Sequence, residues 1–129
     1  MTTKQEIKEK HQRSLEVISS RDLTAIDRMV DEEYTADYVW HLPGLTGLQP
    51  GPAGVKSMFR EILAGNPNFI PTLEDMLVDG DKVAARHTFR RTDPATGKPQ
   101  HCSDLEIFRM VGDKIAELWE LLGPWEDDA

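Results

Sequence analysis

The sequence has very little cysteine and no long apolar run. Its single cysteine, Cys102, cannot form a disulfide within the chain, which favours a reducing setting. No apolar run approaches the ~20 residues of a membrane-spanning helix, and the polar N-terminal stretch lacks the apolar core of a secretory signal. We therefore expect a cytoplasmic protein that makes no membrane contact.

Basic residues are scarce compared with acidic ones. Lysine and arginine together number 15, and aspartate and glutamate number 23, which gives a formal net charge of −8. Contacts with nucleic-acid phosphates need a basic surface, and so do contacts with anionic lipid head groups. The composition therefore argues against nucleic acid and against an anionic membrane as partners.

Several motifs of enzyme chemistry are also missing. The chain contains no GxGxxG, no P-loop and no GxSxG, so it carries no signature of a dinucleotide, a nucleoside triphosphate or a serine nucleophile. Four histidines are present, but none lies in HxH or HExxH spacing. We expect no metal site and no cofactor.

The patterns that are present predict one α+β domain over residues 1–129. Apolar residues recur at helical spacing in three segments, and the period changes towards two after Phe69. The predicted elements are a helix over 4–20, a short helix capped by Asp22, a strand over 34–41, a helix from Pro52 to Gly65, and strands over about 69–78, 82–92, 99–111 and 114–122. Helices that precede an antiparallel meander indicate a sheet curled around the helices, with a cavity between them.

The last predicted hairpin places two carboxylates on one face. With Gly112 and Asp113 at the centre of a tight turn, Glu106 faces Trp119 and Asp104 faces Leu121. Because strand side chains alternate, Asp104 and Glu106 share a face, roughly 6.5–7 Å apart. This face either lines a site or faces solvent.

The hairpin before it adds a histidine to this face. If residues 94–97 form a four-residue loop, Phe89 faces Cys102, His87 faces Asp104 and Ala85 faces Glu106. Polar groups that converge within apolar walls are typical of a ligand cavity. A loop one residue longer or shorter would move His87 to the opposite face, where it would be an ordinary surface or core histidine.

A carboxylate in such surroundings can transfer protons. Burial against aromatic rings raises the pKa of a carboxyl, and a neighbouring carboxylate raises it further. A base of this kind can remove a proton α to a carbonyl, while an imidazole polarises the carbonyl or relays the proton. His11 lies on the apolar stripe of the first helix, where we expect it to pack between helix and sheet.

The order of these segments resembles the SnoaL-like polyketide cyclase family, within the nuclear-transport-factor-like superfamily of cone-shaped domains. The matching segments are residues 37–44, 54–55, 78–86, 106–109 and 113–119, which span nearly the whole chain. The resemblance implies a strongly curved sheet around the helices, an apolar pocket, and homodimers through the outer face of the sheet. It also implies ring closure of a polyketide by an acidic general base without a cofactor.

The resemblance places the family's acid at Glu106, where relatives usually have Asp, and Asp104 is the competing candidate. His87 or His41 would orient or polarise the carbonyl, since the superfamily often has a polar pocket residue at the position of His41. The residues expected to hold the substrate are His41, Trp40, Phe89, Phe108, Trp119 and Phe59.

Three functions are compatible with these residues. The first is a cofactor-independent cyclase or isomerase that acts on a hydrophobic, carbonyl-bearing, polyketide-like metabolite. The second is an epoxide or ester hydrolase in which a carboxylate activates water. The third is a module that only binds a small lipophile, since one fold serves many functions.

Overall fold

The computed structural model describes residues 3–129, in which three helices precede or interrupt a six-stranded sheet. The helices are α1 (Lys4–Ser19), α2 (Leu23–Glu33) and α3 (Pro52–Gly65), and the strands are β1 (Tyr34–His41), β2 (Ile70–Asp79), β3 (Lys82–Thr92), β4 (Pro99–Val111), β5 (Lys114–Leu122) and β6 (Glu126–Asp127). Every helix and long strand predicted from the pattern is present, within one or two residues at its ends.

The caps of the helices follow from local chemistry. Thr3 accepts a hydrogen bond from the backbone of Glu6 at the start of α1, and Asp22 accepts one from Ala25 at the start of α2. α3 begins with Pro52 after Gly51, whose φ of 79° and ψ of −170° lie in a region that only glycine adopts readily. Gly51 also donates a backbone hydrogen bond to Tyr38, which ties the start of α3 to β1.

The sheet is curved and unclosed, in the order β1-β5-β4-β3-β2, with β6 beside β4. Three of its four main pairings are antiparallel, as predicted, whereas β1 runs parallel to β5. The helices fill the concave face, and the core lies between them and the sheet. Its fully buried members include Ile26, Val30, Tyr38, Val55 and Val83. No helix within residues 3–129 is long and apolar enough to cross a bilayer.

The hairpin between β3 and β4 has the predicted register. His87 lies opposite Asp104, Phe89 opposite Cys102 and Ala85 opposite Glu106. His87, Asp104 and Cys102 are at most 2% exposed, so this face of β4 points into the cone.

The register of the hairpin between β4 and β5 differs from the prediction. Met110 pairs with Ile115 as expected, but Arg109 pairs with Glu117, so Ala116 has no partner and forms a β-bulge. Glu106 therefore lies opposite Glu120, not Trp119, and Asp104 lies opposite Leu122, not Leu121. The bulge turns Leu118 and Glu120 inward and leaves Glu117 and Trp119 on the outer face.

Candidate active site

A cavity of about 220 Å³ lies between the concave face of the sheet and the helices. Most of its walls are aliphatic or aromatic, and Asn66 and four ionisable side chains from different elements also line it. Its lining includes Leu15, Ile18, Tyr34, Trp40, Met58, Phe59, Ile62, Phe69, Phe89, Leu118, Leu122 and Trp125, together with His11, His87, Glu106 and Glu120. Such a combination suits a small apolar ligand that a few polar groups orient.

Three carboxyl groups meet at the end of this cavity. Glu106 and Glu120 are paired across β4 and β5, and Asp104 is two residues from Glu106 along β4. Asp104 is 0% exposed and Glu120 is 7% exposed, whereas the side chain of Glu106 keeps 14% of its surface. Glu106 and Glu120 line the cavity, and Asp104 lies behind them.

The three carboxyls share their protons unequally. Burial raises the pKa of Glu106 well above its usual range, and hydrogen bonding to Asp104 and its charge raise it further. Burial and the same neighbour raise the pKa of Glu120 to about 9. Burial would also raise the pKa of Asp104, but hydrogen bonds from His87, Glu120 and Glu106 outweigh burial and lower it.

These directions favour a proton on Glu106 and on Glu120 and a negative charge on Asp104. Asp104 Oδ1 is buried and has no hydrogen-bond partner within residues 3–129, so it is free to accept a hydrogen bond from a protonated glutamic acid. Three buried carboxylates at this distance would repel one another strongly. Two protonated carboxyls can instead donate hydrogen bonds to the oxygens of one carboxylate.

Two histidines continue the network from Asp104. His87 Nδ1 lies 3.0 Å from Asp104 Oδ2 and 3.4 Å from Glu106 Oε2. His87 Nε2 lies 2.8 Å from Nε2 of His11, on α1. Burial, together with the neighbouring His87 and against the opposing effect of Asp104, lowers the pKa of His11 to about 3. His11 is therefore a neutral ring at physiological pH.

Aromatic side chains position the polar groups. Trp40 Nε1 donates to Glu120 Oε1 over 3.0 Å, and the Trp40 ring meets Phe59 edge to face. Phe89 stacks on His87, with 5.8 Å between ring centroids. These contacts fix Glu120 and His87 from neighbouring positions on the same face of the sheet.

The structure brings together six of the nine residues predicted for the site. Glu106, His87, Trp40, Phe89 and Phe59 line the cavity, and Asp104 contacts His87 directly behind it. Phe108 is buried but stacks on His11 at a separate, smaller cavity of about 30 Å³.

Two predicted substrate-binding residues lie elsewhere. His41 and Trp119 stack on each other on the outer face, with 5.5 Å between centroids, and His41 Nε2 lies 2.7 Å from Glu117. Trp119 is outside because of the bulge at Ala116. His41 is outside because β1 presents its even-numbered residues Tyr38 and Trp40 to the core.

Glu120 and His11 are members of the network that the sequence interpretation missed. Regular alternation along β5, counted from the turn, puts Glu120 on the outer face. Nothing in the sequence of the Val111–Lys114 turn predicts the bulge. His11 had a signal, because it is a polar residue in line with the apolar Ile7, Leu15 and Ile18 of α1.

A larger concavity, of about 870 Å³, lies on the outer face of the sheet. Its walls are mainly outward residues of β2 to β5 and the loop after β1, including Leu77, Leu105, Ile107, Trp119, Leu121, Leu42 and Leu45. Although it is larger, the buried ionisable network points into the inner cavity, so we place the candidate active site there.

The same network contains a group of possible metal ligands. The ligand atoms of His87, Asp104 and Glu106 lie within 4.8 Å of one another. A divalent cation would fit only if His87 lost the Nδ1 proton that it donates to Asp104. Spacing rules could not detect this group, because its members come from two strands.

Comparison with known proteins identifies a matching family and several solved structures with the same fold. Residues 11–118 match the family model described as a SnoaL-like domain. IdmH of Streptomyces antibioticus, a candidate polyketide cyclase, is 27% identical, with a TM-score of 0.74 over 90% of this chain and 91% of that one. A candidate polyketide cyclase of Acidithiobacillus ferrooxidans is 23% identical, with a TM-score of 0.78 over 95% of this chain and 91% of that one.

The same fold also occurs with another chemistry. AclR of Streptomyces galilaeus, a candidate hydroxylase, is 19% identical, with a TM-score of 0.74 over 94% of this chain and 81% of that one. At such identities the likeness establishes the fold alone. A search of curated proteins gives no match.

Proposed function

This chain belongs to the SnoaL-like family, and we propose that it is a cofactor-independent cyclase or isomerase acting on a hydrophobic, carbonyl-bearing metabolite of polyketide type. The observation that carries the proposal is the convergence of Asp104, Glu106 and Glu120 at the end of an apolar cavity, where burial raises the pKa of both glutamates and hydrogen bonding lowers that of Asp104. The sequence similarity to a candidate polyketide cyclase supports the same reaction class.

Glu106 is the general base in this proposal. In the free protein the charge lies on Asp104, and a proton that moves from Glu106 to Asp104 transfers that charge to the carboxyl that lines the cavity. The Glu106 carboxylate then removes a proton from the carbon next to the substrate carbonyl. Because the charge only changes place within the cluster, the step does not require an additional buried charge.

Glu120 is the electrophilic partner. Its pKa of about 9 keeps the carboxyl protonated at neutral pH, so it donates a hydrogen bond to the carbonyl oxygen and stabilises the enolate that forms. The enolate carbon then attacks a second carbonyl in a cyclisation, or takes a proton back at another carbon in an isomerisation. Trp40 holds Glu120 in place for either outcome.

The size of the cavity restricts the substrate. Its volume of about 220 Å³ is below the roughly 300–1,000 Å³ of typical ligand pockets. A compact substrate of one or two rings therefore fits better than a long polyketide chain. Phe59, Phe89 and Trp40 provide ring faces on which it would pack.

Proton exchange into a model ketone tests the mechanism. We expect the protein to incorporate deuterium from D₂O at the activated carbon of 2-tetralone, followed by NMR. Glu106→Gln should reduce the rate by about 10²–10⁴-fold, the usual contribution of a general base, and Asp104→Asn should also reduce it strongly because it removes the group that receives the Glu106 proton. Glu117→Gln, on the outer face, is the matched control and should retain the wild-type rate.

Full exchange activity in both the Glu106 and the Asp104 variant would disprove this mechanism. Oxygen-18 from solvent in the product of an epoxide or ester probe would instead indicate a hydrolase that activates water at the same carboxylate. Saturable binding of the ketone without exchange or hydrolysis would indicate a module that binds a small lipophile.

The apolar outer face of the sheet is a candidate surface for binding a protein partner. Large apolar side chains on it remain exposed, including Leu77 at 73%, Leu121 at 62% and Leu105 at 53%. Contiguous exposed apolar surface of this kind is typical of an interaction site. We therefore propose that the protein forms a homodimer through this face, with the small metabolite as its other partner.

A further inference from the structure

Three side chains form a continuous hydrogen-bonded chain from the carboxyl cluster to helix α1. Asp104 accepts from His87 Nδ1 over 3.0 Å, and the Nε2 atoms of His87 and His11 are 2.8 Å apart. Asp104 and His87 are at most 1% exposed. Only one proton can lie between the two Nε2 atoms, so one ring donates and the other accepts.

The ionised Asp104 fixes the direction of these bonds. Because Asp104 accepts from Nδ1–H of His87, the proton between the two rings lies on His11, and Nε2 of His87 accepts from His11 Nε2–H. This leaves His11 with an unprotonated Nδ1. The ring of His11 is held against Phe108 by stacking, with 5.7 Å between centroids, so its orientation is defined.

His11 lies between two cavities. It lines the main cavity and also the small cavity of about 30 Å³, which lies further towards the N-terminus of α1. That volume is sufficient for one water molecule. The charged residues around the small cavity are Lys10 of α1, Glu33 of α2 and Asp113 of the β4–β5 turn. Asp113 is exposed to solvent.

We propose that His11, His87 and Asp104 form a proton relay that connects the catalytic carboxyls with solvent through the small cavity. The relay would let Glu106 gain or lose its proton while substrate still occupies the main cavity. Its use in catalysis rests on the proposed function, whereas the relay itself is a property of the free protein.

The relay moves one proton without a net change in the charge of either ring. A water molecule in the small cavity gives a proton to Nδ1 of His11, and His11 Nε2–H passes to Nε2 of His87. His87 Nδ1–H then passes to Asp104, which protonates an ionised Glu106. Each ring gains one N–H at one nitrogen and loses one at the other, so both rings change tautomer. The reverse sequence returns a proton from substrate to solvent and restores the starting tautomers.

Two substitutions of His11 separate a relay from simple packing. Gln at position 11 places an amide near the position of Nε2 and can still hydrogen-bond to His87, but it cannot pass a proton on. Leu at position 11 fills space without hydrogen bonding. A positioning role is preserved in His11→Gln, whereas a relay is lost in both variants.

The first measurement needs no substrate. NMR of ¹⁵N-histidine-labelled protein should show Nδ1–H on His87 and a coupling through the hydrogen bond between the two Nε2 atoms. Exchange of the His87 Nδ1 proton with water should be at least tenfold slower in both His11→Gln and His11→Leu. An unchanged exchange rate in folded variants, or a wild-type rate in His11→Gln, would overturn the relay.

The second measurement uses deuterium exchange into 2-tetralone. The rate in His11→Gly should fall at least tenfold in dilute buffer and recover when imidazole is added, because imidazole can occupy the vacated space. No recovery, together with an intact fold, would contradict the relay. Absence of exchange in the wild-type protein would disprove the proposed function and leave the NMR test of the relay valid.

Discussion

Glu120 shows how one residue connects stability with chemistry. Its side chain is buried opposite Glu106, and the folded protein raises its pKa to about 9 from an ordinary value of 4.5. The folded state therefore binds this proton over a pH range in which the unfolded chain has released it. Stability from this group is complete below about pH 4.5 and is lost as the pH rises towards 9.

We expect Glu120→Gln to flatten this dependence. The amide has the shape of the protonated acid and does not titrate, so the variant should lose less stability than the wild type between pH 5 and pH 8.5, by roughly 2–5 kcal/mol. Urea unfolding at both pH values measures the difference. Glu117→Gln is the control, because Glu117 lies on the outer face and its hydrogen bond with His41 lowers its pKa instead. Equal slopes for wild type and Glu120→Gln would show that Glu120 is not protonated in the folded state.

Individual contacts also explain why Asp104 and Glu106 have different roles. Both lie on one face of β4, so the alternation of side chains alone cannot decide which of them is the general base. The difference arises from contacts across the sheet and from α1: His87 donates to Asp104, whereas Glu106 keeps some of its surface in the cavity. A choice between the two therefore depends on tertiary contacts that no local pattern contains.

At the scale of elements, the junction between the 42–51 loop and α3 depends on Gly51. A Cβ at this position would lie 2.3 Å from the carbonyl oxygen of Ala36. The backbone conformation is also strained for any residue with a side chain. Gly51 thereby allows the close approach that ties α3, with Phe59, to β1, with Trp40.

Gly51→Ala should destabilise the protein by about 3 kcal/mol or more, because it combines a backbone clash with a disfavoured conformation. Gly112→Ala is the matched control: Gly112 also has a positive φ, of 63°, but nothing lies within 4 Å of its added Cβ. That control should cost only about 1 kcal/mol. Urea denaturation compares the two variants, and equal losses would show that the contact with Ala36 carries no energy.

The two hairpins show which parts of the sheet the sequence can predict. Between β3 and β4, the Asp93 to Lys98 turn is regular, so counting outward from it pairs His87 with Asp104 correctly. Between β4 and β5, the turn fixes only the first pairs, and the bulge at Ala116 shifts the rest by one residue. A bulge depends on the curvature that the whole sheet needs, and the turn residues do not encode it.

The site was predictable to the same extent as the register. The face with Asp104, Glu106 and His87 follows from alternation and two turns, and the order of the helices and strands follows from periodicity. Glu120 was misplaced by the bulge, and the pairing of His11 with His87 requires the packing of α1 across the sheet. His41 and Trp119 were assigned to the pocket, but the structure places both on the outer face.

At the scale of the whole molecule, the sheet has two faces with different chemistry. The concave face buries an ionisable network, and the convex face carries apolar residues around the concavity of about 870 Å³. Leu105, Ile107 and Trp119 alternate with the inward residues of β4 and β5, so the same strands build the site and the proposed dimer interface. A stable dimer of typical size buries about 800 Å² on each partner, and four adjacent strands can supply such a surface.

The dimer gives a prediction that leaves the inner site untouched. Sedimentation of the wild-type protein at micromolar concentration should show a dimer, and Leu105→Asp or Ile107→Asp should shift it to monomer, because a buried, unpaired carboxylate is costly at an interface. Leu23→Asp is the control: Leu23 is 42% exposed, but it lies on α2, away from the outer face. Far-ultraviolet circular dichroism checks that each variant folds. A wild-type monomer at all concentrations, or a dimer that survives both changes in β4 while Leu23→Asp disrupts it, would move the interface away from this face.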